Sequence, residues 1–143
     1  MNLEAKIDWR EGLEFRAQLD GFEFTIDGAP ESGGRDQGPR PKGLTLVSLL
    51  GCSGMDIISI LGKMKVNVDK FAMKAEAQLA EEHPKKFLGI KVTYAFSGPG
   101  LDSGPLLRAI ALSEEKYCGV RATLAPMVNI SREIIVNGQK LDG

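Results

Sequence analysis

Two cysteines, four arginines near the start and one histidine hold most of the chemistry available to this sequence. Cys52 and Cys118 are its two thiols. A cysteine reacts as the thiolate, and an ordinary thiol with a pKa of about 8.5 is mostly protonated at neutral pH. A nucleophilic Cys52 therefore needs a positive charge brought to it, and Arg10, Arg16, Arg35 and Arg40 are the candidates; spacing does not choose among them. The other reading is that both cysteines simply pack, since free cysteine is among the most buried residue types. His83 is the single imidazole, which excludes any site built on two. With no CxxC or HExxH spacing either, no zinc centre and no other cofactor is expected.

The element that must position Cys52 is the apolar run over residues 41–65. Its hydrophobic residues spread around the helical circumference instead of keeping to one stripe, so the helix needs cover on more than one side. Asp56 interrupts the run, and the uncharged stretch over 43–55 is shorter than the roughly 20 residues that cross a bilayer. A buried core helix is expected, not a membrane span. Pro41 suits a first turn, where a missing N–H costs no intrahelical bond. Gly51 and Gly54 flank the thiol and each weakens the helix by about 1 kcal/mol relative to alanine, which suggests close approach of another backbone or of a substrate.

Around that helix the pattern has period two. Leu3 to Trp9, Leu13 to Leu19 and Phe22 to Ile26 alternate apolar with polar, separated by Glu11-Gly12 and Asp20-Gly21, and read as a three-stranded meander with one buried face. Residues 27–40, rich in Gly, Pro and charge, read as a loop. Phe71 to Leu79 and Ile90 to Phe96 form a hairpin whose charged tip holds His83. Asp102 or Ser103 caps a second helix through Leu106 and Ile110, and Ser113 to Cys118 adds a further helical turn. Val128 to Val136 closes as a less regular strand. This order is α+β, helices on antiparallel sheet without βαβ alternation.

A chain of 143 residues with net charge −1 fits one domain, 1–143, able to bury a core without disulfide or metal. Acids and bases are interspersed, so neither nucleic acid nor a membrane surface is an expected partner. No secretory signal is visible at the start, and a reducing cytoplasm is the expected compartment. Because one meander and one hairpin cover a single side of the central helix, two chains are expected to screen each other's helices.

The run Gly38-Pro39-Arg40-Pro41 followed by Gly51-Cys52-Ser53-Gly54-Met55-Asp56, with Leu112 to Cys118 reading LSEEKYC, resembles the OsmC/Ohr family, and its OsmC-like subgroup more than Ohr proper. The resemblance implies an intertwined homodimer that reduces organic hydroperoxides. Cys52 would be the peroxidatic thiolate, Cys118 the resolving thiol, and a dithiol reductant would reset the pair. It also implies an arginine that stabilises the thiolate, for which Arg10 in the first hairpin corresponds best and Arg40 next. A glutamate early in the helix should hold that arginine, but Gly43 stands at its position. Slower turnover than a complete site gives is the expectation. The alternative on this scaffold is a small-ligand binding protein or an oxidant sensor without turnover.

Overall fold

The two alternating regions become two separate sheets in a computed structural model that describes residues 1–141. Chain contacts divide the molecule into two compact units, Met1–Leu46 and the part from Val47 onward. In the first, β1 (Lys6–Glu11), β2 (Glu14–Leu19) and β3 (Phe22–Ile26) form an antiparallel meander in that order. Asp20 and Gly21 turn the second hairpin with φ of 54° and 81°, the left-handed pair that lets a two-residue turn follow the strand twist. Phe15 pairs with Ile26 and Ala17 with Phe24, so one register holds along β2 and β3, while β1 shifts against β2 between Trp9 and Glu11. The expectation of a buried face is corrected: among the strand residues Ala17 alone is buried, while Trp9, Phe22 and Phe24 stay exposed.

The loop after β3 is more ordered than its composition suggests. Asp27 is buried, and its carboxylate accepts the backbone N–H groups of Gly28 at 2.7 Å, Gln37 at 3.1 Å and Arg35 at 3.2 Å. Gly34 lies so close that a Cβ there would fall 2.0 Å from the Gly28 carbonyl oxygen.

The helix α1 (Pro41–Lys63) opens on Pro41 as expected and runs from the first unit into the second. Its buried residues are Leu49, Ser53, Ile57 and Leu61, four apart, which is one narrow stripe on a 3.6-residue helix. Val47, Met55 and Ile58 are exposed, so the chain itself covers one side of α1 and leaves the others open. By length and composition α1 is apolar enough to cross a membrane, a test that core helices of soluble proteins also pass.

In the second unit β4 (Lys70–Leu79) and β5 (Phe87–Ser97) form the long antiparallel hairpin. Phe71, Met73, Ala75 and Ala77 are half-buried and their odd-numbered face alternates with exposed Lys74, Glu76 and Gln78. Ile90, Val92, Tyr94 and Phe96 of β5 are fully covered and, with Leu106, Ile110 and Ile134, make the core. Burying each such aliphatic or aromatic side chain contributes about 1.5–3 kcal/mol. Two strands follow, β6 (Asn129–Val136) and β7 (Gln139–Leu141), in the sheet order β4-β5-β6-β7.

The α+β class holds, but the absence of βαβ alternation does not. β5 and β6 pair parallel, from Gly89 opposite Asn129 to Phe96 opposite Val136. A parallel pair cannot close through a tight turn, and the crossover is α2 (Ser103–Leu112), a π-helical turn over Ser113–Tyr117, and α3 (Gly119–Leu124). Asp102 caps α2, accepting the Gly104 N–H at 3.4 Å. The expected further helical turn is thus π-helical, and Cys118 belongs to the start of the next helix instead of the end of that turn.

Candidate functional site

Within the second unit α1 presents Cys52, Ser53 and Asp56 on neighbouring positions of one surface, with Cys52 and Asp56 a single turn apart. Gly54 gives room to β4, since a Cβ there would meet Met73 Sδ at 3.1 Å; Gly51 has nothing within 4 Å. The close approach expected at both glycines therefore exists at one, and it is made by a side chain.

The crossover supplies Cys118. Its N–H donates to the Ser113 carbonyl at 2.9 Å, closing the π turn, and its Sγ accepts the Arg121 N–H at 3.4 Å, capping α3. Single π turns inside helices are frequent where a side chain must be re-aimed. Here the turn brings the buried Cys118 to Cys52 and Asp56: the two sulfurs and a carboxylate oxygen lie within 4.8 Å of one another. Both cysteines are free thiols. A disulfide spans about 2.05 Å, so the sulfurs would have to close from a separation of at most 4.8 Å to bond.

Burial pushes the Cys118 thiol up to about 11, with Cys52 and the Asp56 charge adding to the rise and the Arg121 amide offsetting part of it. Cys118 is therefore protonated at neutral pH. Asp56 accepts from the Ser113 hydroxyl at 3.0 Å, and Ser113 shares a 3.0 Å hydrogen bond with Ser53. Both serines are buried, so this hydroxyl pair fixes the carboxylate from behind. No lysine or arginine among the described residues forms an ion pair with Asp56.

A second polar cluster pins the π turn. Glu114 takes Arg121 at 3.5 Å, Arg132 of β6, and the Tyr94 hydroxyl at 3.4 Å. Burial first, then the Glu114 charge, pushes Tyr94 up to about 12, so it acts there as a neutral donor. Sequence reasoning missed Ser53, Ser113, Glu114, Tyr94 and Arg121 as partners. Three of them stand inside segments already singled out, Ser53 in Gly51 to Asp56 and Ser113 and Glu114 in LSEEKYC, the signals that pointed to them.

The arginines of the first unit divide clearly. Arg16 pairs with Glu23 at 3.7 Å, Arg35 with Glu11 and with Glu14 at 2.7 Å, and Arg40 with Asp36. Arg10 is exposed at the irregular step of β1 and has no ion-pair partner among the described residues. The first turn of α1 holds no acidic residue, with Gly43 at the position in question. Beside the thiol-bearing helix an apolar groove of about 630 Å³ is walled by Val47, Gly51, Gly54, Met55, Phe71 and Met73. A smaller one of about 390 Å³ is bordered by Asp56, Ser59 and Tyr117. His83 is exposed in the β4–β5 tip, away from any of this chemistry.

The family model for OsmC-like proteins matches residues 33–133. The chain belongs to the OsmC-like family. This OsmC-like protein is 35% identical over 130 residues to Protein YhfA of Escherichia coli strain K12, an alignment covering 90% of the chain and 94% of YhfA. A hypothetical protein from Aquifex aeolicus VF5 has a similar structure, with TM-score 0.81 at 29% identity over 96% of this chain and 98% of that one. An organic hydroperoxide resistance protein OsmC from Legionella pneumophila shares the fold at TM-score 0.68 and 17% identity, covering 95% and 98%. The OsmC-like protein thus joins a fold in which some members carry hydroperoxide-resistance names.

Proposed function

We propose that the OsmC-like protein is a thiol-dependent peroxidase of organic hydroperoxides. The observation that carries this reading is the meeting of two free thiols, one half-buried on α1 and one buried on the crossover, within 4.8 Å. Cys52 as thiolate attacks an oxygen of the hydroperoxide; the O–O bond breaks, the alkoxide leaves and takes up a proton as the alcohol, and Cys52 becomes a sulfenic acid. Cys118 then loses its proton and attacks the Cys52 sulfur. Water leaves and a disulfide forms. A dithiol reductant returns two electrons and two protons, as it can in a reducing cytoplasm.

Cys52 needs a cation for the first step, and Arg10 is the residue proposed to supply it. Arg16, Arg35 and Arg40 already have carboxylate partners. With Gly43 where the family pattern has glutamate, the guanidinium is less firmly aimed, and a looser site costs rate. The protein works as a homodimer in this reading: exposed Val47, Met55 and Ile58 on α1 and Trp9 and Phe22 on the meander are apolar surfaces a second chain would cover. Sedimentation as a stable monomer at micromolar concentration contradicts that part.

The deciding experiment adds cumene hydroperoxide to reduced protein and counts thiols lost per chain. Loss of both, with an intrachain disulfide, is expected; Cys52→Ser should abolish peroxide consumption and Cys118→Ser should leave a trapped sulfenic acid. Full activity in Cys52→Ser refutes the assignment. The absence of a carboxylate in the first turn of α1 favours one second reading, an oxidant sensor or small-ligand binding protein on the same scaffold. Loss of a single thiol per chain, without turnover, selects the sensor.

A further inference from the structure

We propose that the reduced protein holds one soft divalent metal ion, of the zinc or cadmium type, between Cys52, Cys118 and Asp56. This goes beyond the peroxidase reading and does not rest on it, since it needs only the three side chains and not their reaction with a peroxide.

The donor atoms come from two elements and converge within 4.8 Å. Tetrahedral zinc, with bonds of about 2.3 Å to sulfur and about 2.0–2.2 Å to oxygen, sets its ligand atoms roughly 3.5–3.8 Å apart. A bound ion would draw the trio, now within 4.8 Å, in to that spacing. Cys52 and Asp56, four apart on α1, give a two-point attachment on one helix face, and Cys118 closes the third side from the crossover.

Three features around the trio are those of a site that receives a cation. Asp56 is oriented from behind by the Ser113 hydroxyl at 3.0 Å, itself bonded to Ser53 at 3.0 Å; such outer hydrogen bonds fix a ligating carboxylate and leave its other oxygen for the metal. Asp56 has no ion-pair partner among the described residues, so its charge is not already matched by a bonded cation. A groove of about 390 Å³, with Lys63 and Tyr117 on its wall, borders Asp56 and gives solvent and ions a way to the carboxylate.

Two sulfur donors select a soft ion over magnesium or calcium. The exchange is balanced without redox change: both thiols give up their protons to solvent as the ion binds, so affinity rises with pH. A disulfide cannot ligate in this way. Metal binding and oxidation of the pair are consequently mutually exclusive, and the ion would shield both sulfurs from oxidants. Local motif spacing could not have shown this site, because Cys118 is remote from the other two ligands in sequence.

The test titrates reduced full-length protein, anaerobically, with cadmium chloride and follows the ultraviolet thiolate-to-metal charge-transfer band, then displaces cadmium with zinc chloride. One ion per chain with sub-micromolar affinity and proton release is expected, and diamide-oxidised protein should show no band. Cys52→Ser and Cys118→Ser should each remove most of the band. Asp56→Asn, a near-isosteric change, should weaken binding by about 10- to 100-fold while circular dichroism stays unchanged. A band of equal strength in Cys118→Ser, affinity untouched by Asp56→Asn, or no saturable binding to the folded wild-type protein each overturns the site. Thiol loss to peroxide in metal-free buffer is read separately, so failure of this site and failure of the peroxidase reading are told apart.

Discussion

Asp27 is buried and Asp56 half-buried, and they sit in opposite surroundings. Three backbone N–H groups converge on Asp27, whereas Asp56 has one serine hydroxyl and two thiols. With three of its roughly four lone-pair sites taken up by amides, the Asp27 carboxylate keeps little capacity for a substrate or an ion; it organises its own loop. One that faces sulfur and a single hydroxyl keeps that capacity. The first unit thus spends its carboxylate on rigidity and the second holds one for chemistry, a distinction invisible in residue type alone.

The largest effect expected from breaking that comparison lies in the loop. Gly34→Ala puts a methyl group 2.0 Å from a carbonyl oxygen, and the backbone must move; a loss of about 2–3 kcal/mol in urea unfolding is expected. An unchanged midpoint would show that the loop is not the rigid part. Asp27→Ala should come next, lowering the melting temperature by orphaning three amides. Burial alone would raise the Asp27 pKa, but the amides of Gln37, Gly28 and Arg35 outweigh it and hold the carboxyl below its ordinary value. Its stabilising contribution is therefore complete above about pH 4 and is lost as pH falls through the folded pKa. Asp27→Asn should flatten that acid limb; an identical acid transition would remove Asp27 from the account.

Smaller effects sharpen the other side. Alkylation of Cys118, followed by mass spectrometry in the Cys52→Ser variant, should still be rising with pH where an exposed thiol has levelled, because burial holds its pKa up. A midpoint near that of free cysteine would mean the sulfur is open to water. Smallest of all, Asp56→Asn should shift unfolding by no more than about 1 kcal/mol while altering the thiols' behaviour. A large destabilisation would make Asp56 a second Asp27 and erase the contrast.

Much of the fold was legible where alternation and turn chemistry agree. The β4–β5 hairpin, the meander and α1 follow from period-two and apolar runs that begin and end on Gly, Pro or Asp. The parallel pairing of β6 was not legible, since a side-chain pattern records which face is covered and says nothing of strand direction. β7 went unread although Asn137-Gly138, with φ of 49° and 80°, carries the turn signal between it and β6; three residues are too few to show a period. Of the site, the two cysteines were readable from their motifs. The Ser53–Ser113–Asp56 contact was not, because it joins α1 to a π turn whose geometry no local propensity encodes. The resemblance places Arg10 first; that Arg16, Arg35 and Arg40 have carboxylate partners while Arg10 has none among the described residues was not legible.

The parallel join between β5 and β6 also reaches the second thiol. Cys118 rides on the crossover, and Arg132 of β6 holds that crossover through Glu114, so whatever loosens β6 from its neighbour loosens the seat of that sulfur as well.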